Sequence, residues 1–266
     1  MKTRIISALV GIPVVIGVLY FGGVLLTLFL ALLAGIGVYE LYNAFEAKGF
    51  KPLKHLGVIM AVAYIVLKST PYSSYSVLIM YGGLMAILFY EVLTQKHNIV
   101  DIALTFLGYI YVPMFFAYLG DISRLENGRF LIWIPILAAW YTDTMAYFVG
   151  LSIGKHKLSP NVSPKKTIEG SVGGFLGNAL LLVLTGYIAS KQGIQISLIH
   201  YGIIGVITGI TAQIGDLAAS YIKRYCGVKD YGKLIPGHGG IMDRFDSILF
   251  TAPTVMFYLI FVMKMQ

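Results

Sequence analysis

The sequence has 266 residues, of which 58% are hydrophobic and only 12% are charged, and its mean hydropathy is +0.80. This composition excludes a soluble globular protein and is typical of a membrane protein with several spans. The formal net charge of +8 comes from lysines and arginines concentrated between apolar segments, so it indicates membrane orientation and phosphate binding, not a nucleic-acid partner. The single cysteine, Cys226, excludes an intramolecular disulfide and a cysteine-based zinc site.

Nine apolar runs predict an all-α polytopic fold with about nine transmembrane helices. They cover residues 5–20, 24–45, 56–67, 76–92, 99–118, 130–150, 172–190, 199–221 and 245–263. The first run has the length of a signal peptide, but it lacks a small-residue cleavage site and a second apolar run follows it. The third run is short, and we expect Lys54 and Lys68 to extend it by reaching the headgroups. Alternation of the spans places the N-terminus in the cytoplasm and the C-terminus outside.

Charge is concentrated in one polar segment, residues 220–246, which this arrangement places on the cytoplasmic face together with the basic segment 155–166. A charged side chain beside hydrocarbon is costly unless it is solvated or paired, so the cluster predicts a functional site. Glycines within residues 236–240 allow backbone N–H groups to approach an anion closely. The charged residues and the histidine of the segment are Lys223, Arg224, Lys229, Asp230, Lys233, His238, Asp243, Arg244 and Asp246.

Three sequence patterns resemble the CDP-diacylglycerol synthase (phosphatidate cytidylyltransferase) family. The main pattern combines Ser-x-x-Lys-Arg from Ser220, Lys-Asp from Lys229, and Pro-Gly-His-Gly-Gly-x-x-Asp-Arg-x-Asp from Pro236. Two shorter patterns lie upstream, Thr-Asp-Thr with Ala-Tyr-Phe at residues 142–148 and Ser-Pro-Lys-Lys-Thr with Glu-Gly at residues 163–170. Two positions depart from the family, which usually has glycine at Met145 and tryptophan at Ile168.

The resemblance implies an integral membrane nucleotidyltransferase that makes CDP-diacylglycerol and pyrophosphate from CTP and phosphatidate in phospholipid biosynthesis. The specific resemblance covers roughly residues 140–250, and the first half of the chain matches only as a generic run of membrane spans. We therefore expect scaffold helices, about five spans, in residues 1–128 and catalytic helices with two cytoplasmic polar loops in residues 129–266. We expect a multi-pass protein of the cell (inner) membrane whose active site faces the cytoplasm. Its expected partners are CTP, phosphatidate and membrane lipids, and a homodimer is left open.

The predicted site residues fall into two groups. Those assigned to catalysis are Asp216, Lys223, His238, Asp243 and Asp246. Those assigned to the phosphates of CTP and phosphatidate are Ser163, Lys165, Lys166, Thr167, Ser220, Arg224, Lys229, Gly239, Gly240 and Arg244.

Four carboxylates predict a cation site near the cytoplasmic ends of the spans. They are Asp143, Asp216, Asp243 and Asp246. Carboxylates together with substrate phosphates suit Mg²⁺, and we expect more than one bound cation. Asp216 shares a helical stripe with Gln213, Ser220 and Lys223, which should face a hydrated cavity. The alternatives are that Asp143 reaches the headgroups or pairs with a lysine, and that Asp216 pairs with a lysine for structural reasons.

The basic segment and the histidine each have two interpretations. Basic loops usually only orient a membrane protein, but residues 163–170 combine hydroxyls and lysines with a predicted helix start, which together bind phosphate well. His238 is either a general acid/base or a donor to phosphate, and its glycine surroundings favour the donor.

Two other functions are weighed. A transporter or channel also places carboxylates and lysines in the membrane, but it predicts polar groups through the whole depth and repeated halves. Here the polar groups collect at one face, and we detect no internal repeat. A lipid phosphotransferase that uses CDP-alcohols is a third hypothesis, but the sequence lacks the Asp-rich spacing of that family.

Overall fold

The computed structural model describes residues 2–265, and the side chains of all of these except residues 2–6, 8 and 10. The described chain is mostly helical. Its α-helices are α1 (Lys2–Phe21), α2 (Gly23–Ala47), α3 (Lys54–Lys68), α4 (Ser76–Thr94), α5 (Ile99–Ser123), α6 (Gly128–Leu131), α7 (Trp133–Ile153), α8 (Ile168–Lys191), α9 (Leu198–Cys226) and α10 (Met242–Phe257). A 3₁₀ turn, Ser73–Tyr75, precedes α4, and a π turn, Tyr258–Val262, continues α10.

Each predicted apolar run coincides with helix, and run 130–150 is divided between α6 and α7. Within the described chain, six helical segments are long and apolar enough to cross a membrane. They are Gly23–Ala47, Ser73–Thr94, Ile99–Ser123, Ile168–Lys191, Leu198–Cys226 and Met242–Val262. The prediction of a polytopic, largely helical membrane protein is confirmed, because even the shortest of these has 21 residues, or about 30 Å of helix. The count of nine spans and the orientation of the termini stay predictions.

The basic segment 155–166 departs from the all-α prediction because it folds into a β-hairpin with the residue that follows it. Strand β1 (Lys157–Ser159) pairs antiparallel with β2 (Ser163–Thr167), and Ser159 lies opposite Ser163. The Pro-Asn dipeptide between the strands favours a turn. Strands this short show no clear alternation of polar and apolar residues, so the sequence indicates only a polar loop.

The chain forms two compact units. The first comprises Met1–Asp121 with Ile222–Arg244, and the second comprises Ile122–Tyr221 with Phe245–Gln266. The boundary therefore crosses α9 near its C-terminal end and α10 near its N-terminal end. The predicted division at residue 128 into scaffold and catalytic helices concerns function, and it stays a prediction.

The first unit packs α2, α3 and α5 around Tyr42. The buried Tyr42 hydroxyl donates a 2.5 Å hydrogen bond to the Thr105 carbonyl of α5. Gly57 of α3 and Gly108 of α5 lie so close to the ring that a Cβ atom at either position would overlap it. One aromatic side chain with a satisfied hydroxyl thus joins three helices.

The second unit depends on close contacts of α8 with α7 and α9. A Cβ atom at Gly177 of α8 would overlap the Met145 side chain of α7, and one at Gly205 of α9 would overlap the backbone of Ala179. Small residues of this kind let membrane helices approach each other closely. Met145 fits its position because the facing residue on α8 is a glycine.

Candidate active site

The polar segment between α9 and α10, residues 227–241, is a loop whose tightest turn contains two glycines. The Ile235 N–H donates to the Gly239 carbonyl at 2.9 Å, and the His238 N–H donates to the Ile235 carbonyl at 2.9 Å. Gly237 and Gly239 have φ values of 78° and 87°. Residues other than glycine adopt such positive φ values only with backbone strain. The glycines therefore permit a narrow turn that carries His238.

Asp243, the second residue of α10, joins this loop to α9 through a buried carboxylate. Its Oδ1 accepts a hydrogen bond from the Lys223 ammonium group at 2.7 Å. Its Oδ2 accepts the N–H groups of Tyr231 at 2.8 Å and Gly240 at 2.9 Å. The two charged side chains are only 2% and 11% exposed, so their pairing offsets the cost of burying each charge. Asp243 thus fixes both ends of the loop.

Glu40 is a buried carboxylate beside the loop, and the sequence pattern predicts no role for it. It lies in α2, is 4% exposed, and accepts the Met242 N–H through Oε2 at 3.0 Å, across 202 residues of sequence. A Cβ atom at Gly232 or Gly240 would overlap its carboxylate. The available signal was a single glutamate inside an apolar run, and neither periodicity nor spacing identifies its partner.

A cavity of about 580 Å³ lies within the loop. Its charged and histidine lining residues are Lys229, Asp230, Lys233, His238 and Arg244. The loop therefore surrounds a space with an excess of positive charge, next to backbone N–H groups of glycines. Such a space suits an anion.

The His238 ring is oriented by α1. The Ser7 hydroxyl lies 2.8 Å from Nδ1 and donates to the Pro236 carbonyl at 3.1 Å. A hydroxyl has one hydrogen, so if Ser7 donates to that carbonyl, its oxygen can accept a hydrogen bond from Nδ1–H. With Nδ1 in contact with Ser7, Nε2 is the ring nitrogen that either interpretation of His238 would use.

A second cavity, of about 360 Å³, lies in the other unit between α7, β2, α8 and α9. Its polar lining residues are Asp143, Lys165, Lys166, Thr167, Ser171 and Gln213. Tyr147 and Leu151 also line it and are 64% and 71% exposed on the apolar surface of α7. The cavity therefore joins a charged end to a surface that has the composition of a lipid-facing one.

Lys166 of this cavity forms an ion pair with Asp216 of α9. Both side chains are 26% exposed, so the pair is partly solvated and opens at low cost. The structure thus shows the lysine partner that one interpretation of Asp216 required, and the pairing leaves both groups accessible to a ligand. The neighbouring Lys165 is exposed and lines the same cavity.

Helix α9 extends to Cys226, beyond the predicted end near residue 221. Lys223 and Arg224 therefore lie in its last turn, where the helix dipole favours positive charge. The four residues of the predicted polar stripe all lie in α9. Within the stripe, the Gln213 amide donates to the Ser171 carbonyl at 3.1 Å and so connects α9 to the start of α8.

Thr167 is both the last residue of β2 and the N-cap of α8. Its hydroxyl oxygen accepts the Gly170 N–H at 3.1 Å, which satisfies one of the free donors at the helix start. A Cβ atom at Gly150 or Gly154 would lie 3.0 or 2.7 Å from that oxygen. The cap therefore uses the hydroxyl oxygen of Thr167 as an acceptor.

Asp216 and Asp246 lie near the same contact between α9 and α10. Gly215 packs so closely that a Cβ atom there would come within 2.5 Å of the Asp246 carbonyl oxygen. The Asp246 side chain is buried, and its Oδ1 accepts the Ser247 N–H at 2.8 Å. Backbone packing thus places the two carboxylate-bearing residues at one level of the second unit.

The donor set is compatible with a cation that substrate phosphates help to bind. Among the residues that the structure describes, no group of three or more His, Cys, Asp or Glu side chains is placed to hold a metal ion. Mg²⁺ does not need such a group, because it keeps several waters and uses one or two carboxylates with substrate phosphates. Asp143, exposed beside Lys165 and Lys166, fits this mode. A cation at Oδ1 of Asp243 would have to displace the Lys223 ammonium group.

The structure distributes the predicted site residues between the two cavities. The loop cavity is lined by Lys229, His238, Gly239 and Arg244, and the second cavity by Asp143, Lys165, Lys166 and Thr167. Two more predicted site residues are connected to these regions by ion pairs. Asp216 pairs with Lys166 of the second cavity, and Lys223 pairs with Asp243 at the end of the loop. Gly240 and Asp243 do not line either cavity but hydrogen-bond to each other at the end of the loop. The remaining four also lie outside both linings, namely Ser163, Ser220, Arg224 and Asp246.

A helical membrane protein with basic cavities, one of them beside apolar surface, has the features that suit phosphate-bearing ligands at a bilayer. A sequence model described as the cytidylyltransferase family matches residues 2–262. The chain therefore belongs to the cytidylyltransferase family.

Named relatives extend over almost the whole chain. The phosphatidate cytidylyltransferase of Staphylococcus epidermidis is 37% identical over 267 residues, which cover 98% of this chain and 99% of the relative. Those of Staphylococcus saprophyticus and Staphylococcus aureus are 36% and 34% identical over the same shares of both chains. The resemblance predicted from the motifs is confirmed.

Proposed function

We propose that this chain is an integral membrane phosphatidate cytidylyltransferase that makes CDP-diacylglycerol and pyrophosphate from CTP and phosphatidate. Family membership over residues 2–262 and the names of near full-length relatives support this function. The structural observation that carries it is the second cavity, which combines Lys165, Lys166 and Asp143 with the exposed apolar residues Tyr147 and Leu151. A phospholipid needs both kinds of surface, one for its phosphate and one for its acyl chains.

In this reaction a phosphate oxygen of phosphatidate attacks the α-phosphorus of CTP. The bond from that phosphorus to the bridging oxygen breaks, and pyrophosphate leaves with the electron pair. Phosphatidate is already anionic near neutral pH, so the attack needs no strong general base. Catalysis then rests mainly on positioning and on neutralising the phosphate charges.

The basic side chains supply that neutralisation. In our proposal Lys165, Lys166 and Thr167 hold substrate phosphate in the cavity beside the apolar surface. The loop between α9 and α10 lies outside the apolar helices and binds the phosphates of the soluble nucleotide through basic side chains, His238 and glycine N–H groups. Lys223 neutralises Asp243 and so keeps the loop in its binding shape.

Divalent cations complete the proposed site. Mg²⁺ bound to the phosphates would neutralise charge on the α-phosphoryl group and on the departing pyrophosphate. Asp143 and Asp216 would hold it with substrate oxygens, and Asp246 is a further ligand that we propose. Asp243 would become a ligand only where a substrate phosphate has drawn the Lys223 ammonium group away from it. The number of bound cations is expected to exceed one.

We also propose that the protein lies in the cell (inner) membrane with nine spans, a cytoplasmic N-terminus and an active site that faces the cytoplasm. Single cysteines test this in a Cys226→Ser background at four exposed positions. A membrane-impermeant maleimide should label Ser74→Cys and Asn127→Cys in intact cells, but Asn161→Cys and Lys229→Cys only after the cells are opened. Labelling of the last two from outside would refute a site that uses cytoplasmic CTP.

The activity is tested with purified protein in detergent, supplied with CTP, phosphatidate and Mg²⁺. Pyrophosphate release and CDP-diacylglycerol formation should appear together in equal amounts and should require both substrates. A matched reaction with diacylglycerol in place of phosphatidate controls for hydrolysis of CTP, because diacylglycerol has no phosphate nucleophile. Pyrophosphate released equally in that control would contradict the proposal.

A further inference from the structure

Glu40 connects an N-terminal helix to the start of α10. Its carboxylate is almost fully buried, 4% exposed, and Oε2 accepts the Met242 N–H at 3.0 Å. Met242 is the first residue of α10, where backbone N–H groups lack partners within the helix and the helix dipole favours negative charge. The side chain therefore stabilises the point at which the loop becomes helix.

The loop is also shaped around this carboxylate. A Cβ atom at either Gly232 or Gly240 would overlap the Glu40 carboxylate, so the backbone at both positions lies directly against it. The Gly240 N–H is held in turn by Asp243 at 2.9 Å. Two carboxylates, one from α2 and one from α10, thus fix the backbone of the loop at Gly240.

A buried carboxylate is an expensive way to stabilise a helix packing contact. An ionised group taken out of water costs several kcal/mol unless hydrogen bonds and charges compensate it, whereas an apolar residue would pack in α2 without that cost. Glu40 contacts the backbone of residues 232–242. His238 lies within that stretch, and Arg244 follows it two residues later. This placement indicates a role in the geometry of the loop.

We propose that Glu40 is a positioning residue that holds the loop between α9 and α10 in the shape that binds nucleotide phosphates. The inference rests on the proposed function for its kinetic consequence, and on the described contacts alone for its structural one. Glu40 acts through the backbone of Gly240 and Met242 and does not itself contact substrate. Its loss should therefore weaken CTP binding and leave the affinity for phosphatidate unchanged.

The experiment compares Glu40→Gln with Asp101→Asn in the full-length protein in detergent. Asp101 is a matched control, since it is 3% exposed and its carboxylate also accepts backbone N–H groups, from Lys51 at 2.7 Å and Asn98 at 3.2 Å. Both changes replace a carboxylate by an amide of the same shape and should lower thermal stability to a similar degree. Only Glu40 contacts the loop.

Glu40→Gln should raise the KM for CTP by about tenfold, the effect of losing one charged hydrogen bond, with the KM for phosphatidate within about twofold of wild type. Hydrogen–deuterium exchange of the peptide that spans residues 231–242 should become faster, and Asp101→Asn should change neither quantity. Gly232→Ala provides a second test, because its methyl group would displace the Glu40 carboxylate while leaving residue 40 a glutamate.

Unchanged CTP KM and unchanged loop exchange in both Glu40→Gln and Gly232→Ala would overturn the proposal. Equal rises in the KM for both substrates would also overturn it, because they indicate general destabilisation. If wild-type protein transfers no cytidylyl group, the proposed function fails, while the exchange measurement still decides whether Glu40 holds the loop.

Discussion

The loop 227–241 and the segment 155–170 are both polar and glycine-containing, yet different interactions determine their shapes. The segment 155–170 has a backbone hydrogen-bond ladder between its own strands, and Glu169 accepts the N–H groups of Lys155 and His156 from only 13 or 14 residues away. The loop has an isolated bridge between Ile235 and Gly239, and its other described contacts include Asp243, Ser7 and Glu40, the last of these across 202 residues.

This difference indicates where each region is vulnerable. A hairpin keeps most of its backbone hydrogen bonds when one side chain is changed, because its strands pair with each other. A loop without such pairing loses its shape when a carboxylate that bridges its ends is removed. Single substitutions should therefore affect the loop more than the hairpin.

Removal of divalent cations is expected to have the largest effect, because in our proposal a cation neutralises the phosphate groups that react. Excess EDTA should abolish pyrophosphate release, and added Mg²⁺ should restore it. Thermal stability measured in parallel should change little, since the described residues form no metal cage of their own. Full activity in EDTA would contradict the proposed role of the cation in the reaction.

Replacement of Asp216, Asp243 or Asp246 by Ala is expected to remove nearly all turnover. Asp243→Ala should in addition lower stability by about 3–5 kcal/mol, because it leaves the largely buried Lys223 ammonium group without its partner. Asp216 is more exposed, so Asp216→Ala should cost activity with little loss of stability. Denaturation in detergent and initial rates separate the two effects, with Glu126→Ala as an exposed control. Comparable stability of both variants would contradict the comparison.

The two lysines of β2 provide a sharper test within the second unit. Lys166→Ala and Lys165→Ala should each lower catalytic efficiency by roughly ten- to hundredfold if they contact phosphate. Lys166→Ala should show the larger loss because it also leaves Asp216 without its counter-ion. Steady-state rates with varied CTP and phosphatidate measure this, and wild-type kinetics in the double variant would return the hairpin to a purely topological role.

The smallest effect is expected at Thr167. Thr167→Ala removes the N-cap of α8 and should lower stability by about 0.5–2 kcal/mol. Thr167→Ser keeps the hydroxyl oxygen and should lie close to wild type. Thermal unfolding in detergent distinguishes the variants, and equal melting temperatures for Ala and wild type would show that the cap adds nothing to stability.

Much of the fold follows from run lengths and charge. Apolar runs identify the helices because each hydrogen-bonds its own backbone and must match a bilayer in length. The predicted ends of the helices agree less well with the structure. Helix α9 continues to Cys226 because nothing in residues 222–226 breaks a helix, although their charge suggests a loop. The hairpin was missed because its strands are too short to show a period.

The site was predictable in its residue types but not in its pairings. Clustered charge and glycine identify the loop, and the motif supplies the residues that face its cavity. Glu40, Ser7 and the partner choice of Lys166 depend on contacts between distant parts of the chain. Such contacts leave no local pattern in one sequence, because the packing of helices decides them.

The ion pair between Lys166 and Asp216 has a thermodynamic consequence for the affinities of two ligands, a phosphate and a cation. A phosphate that takes the Lys166 ammonium group leaves the Asp216 carboxylate as an unneutralised anion beside the cavity. That carboxylate then attracts a cation more strongly, and a cation already bound to it releases Lys166 for the phosphate. Linkage requires the two affinities to rise by the same factor, so nucleotide or lipid phosphate and divalent cation should bind synergistically.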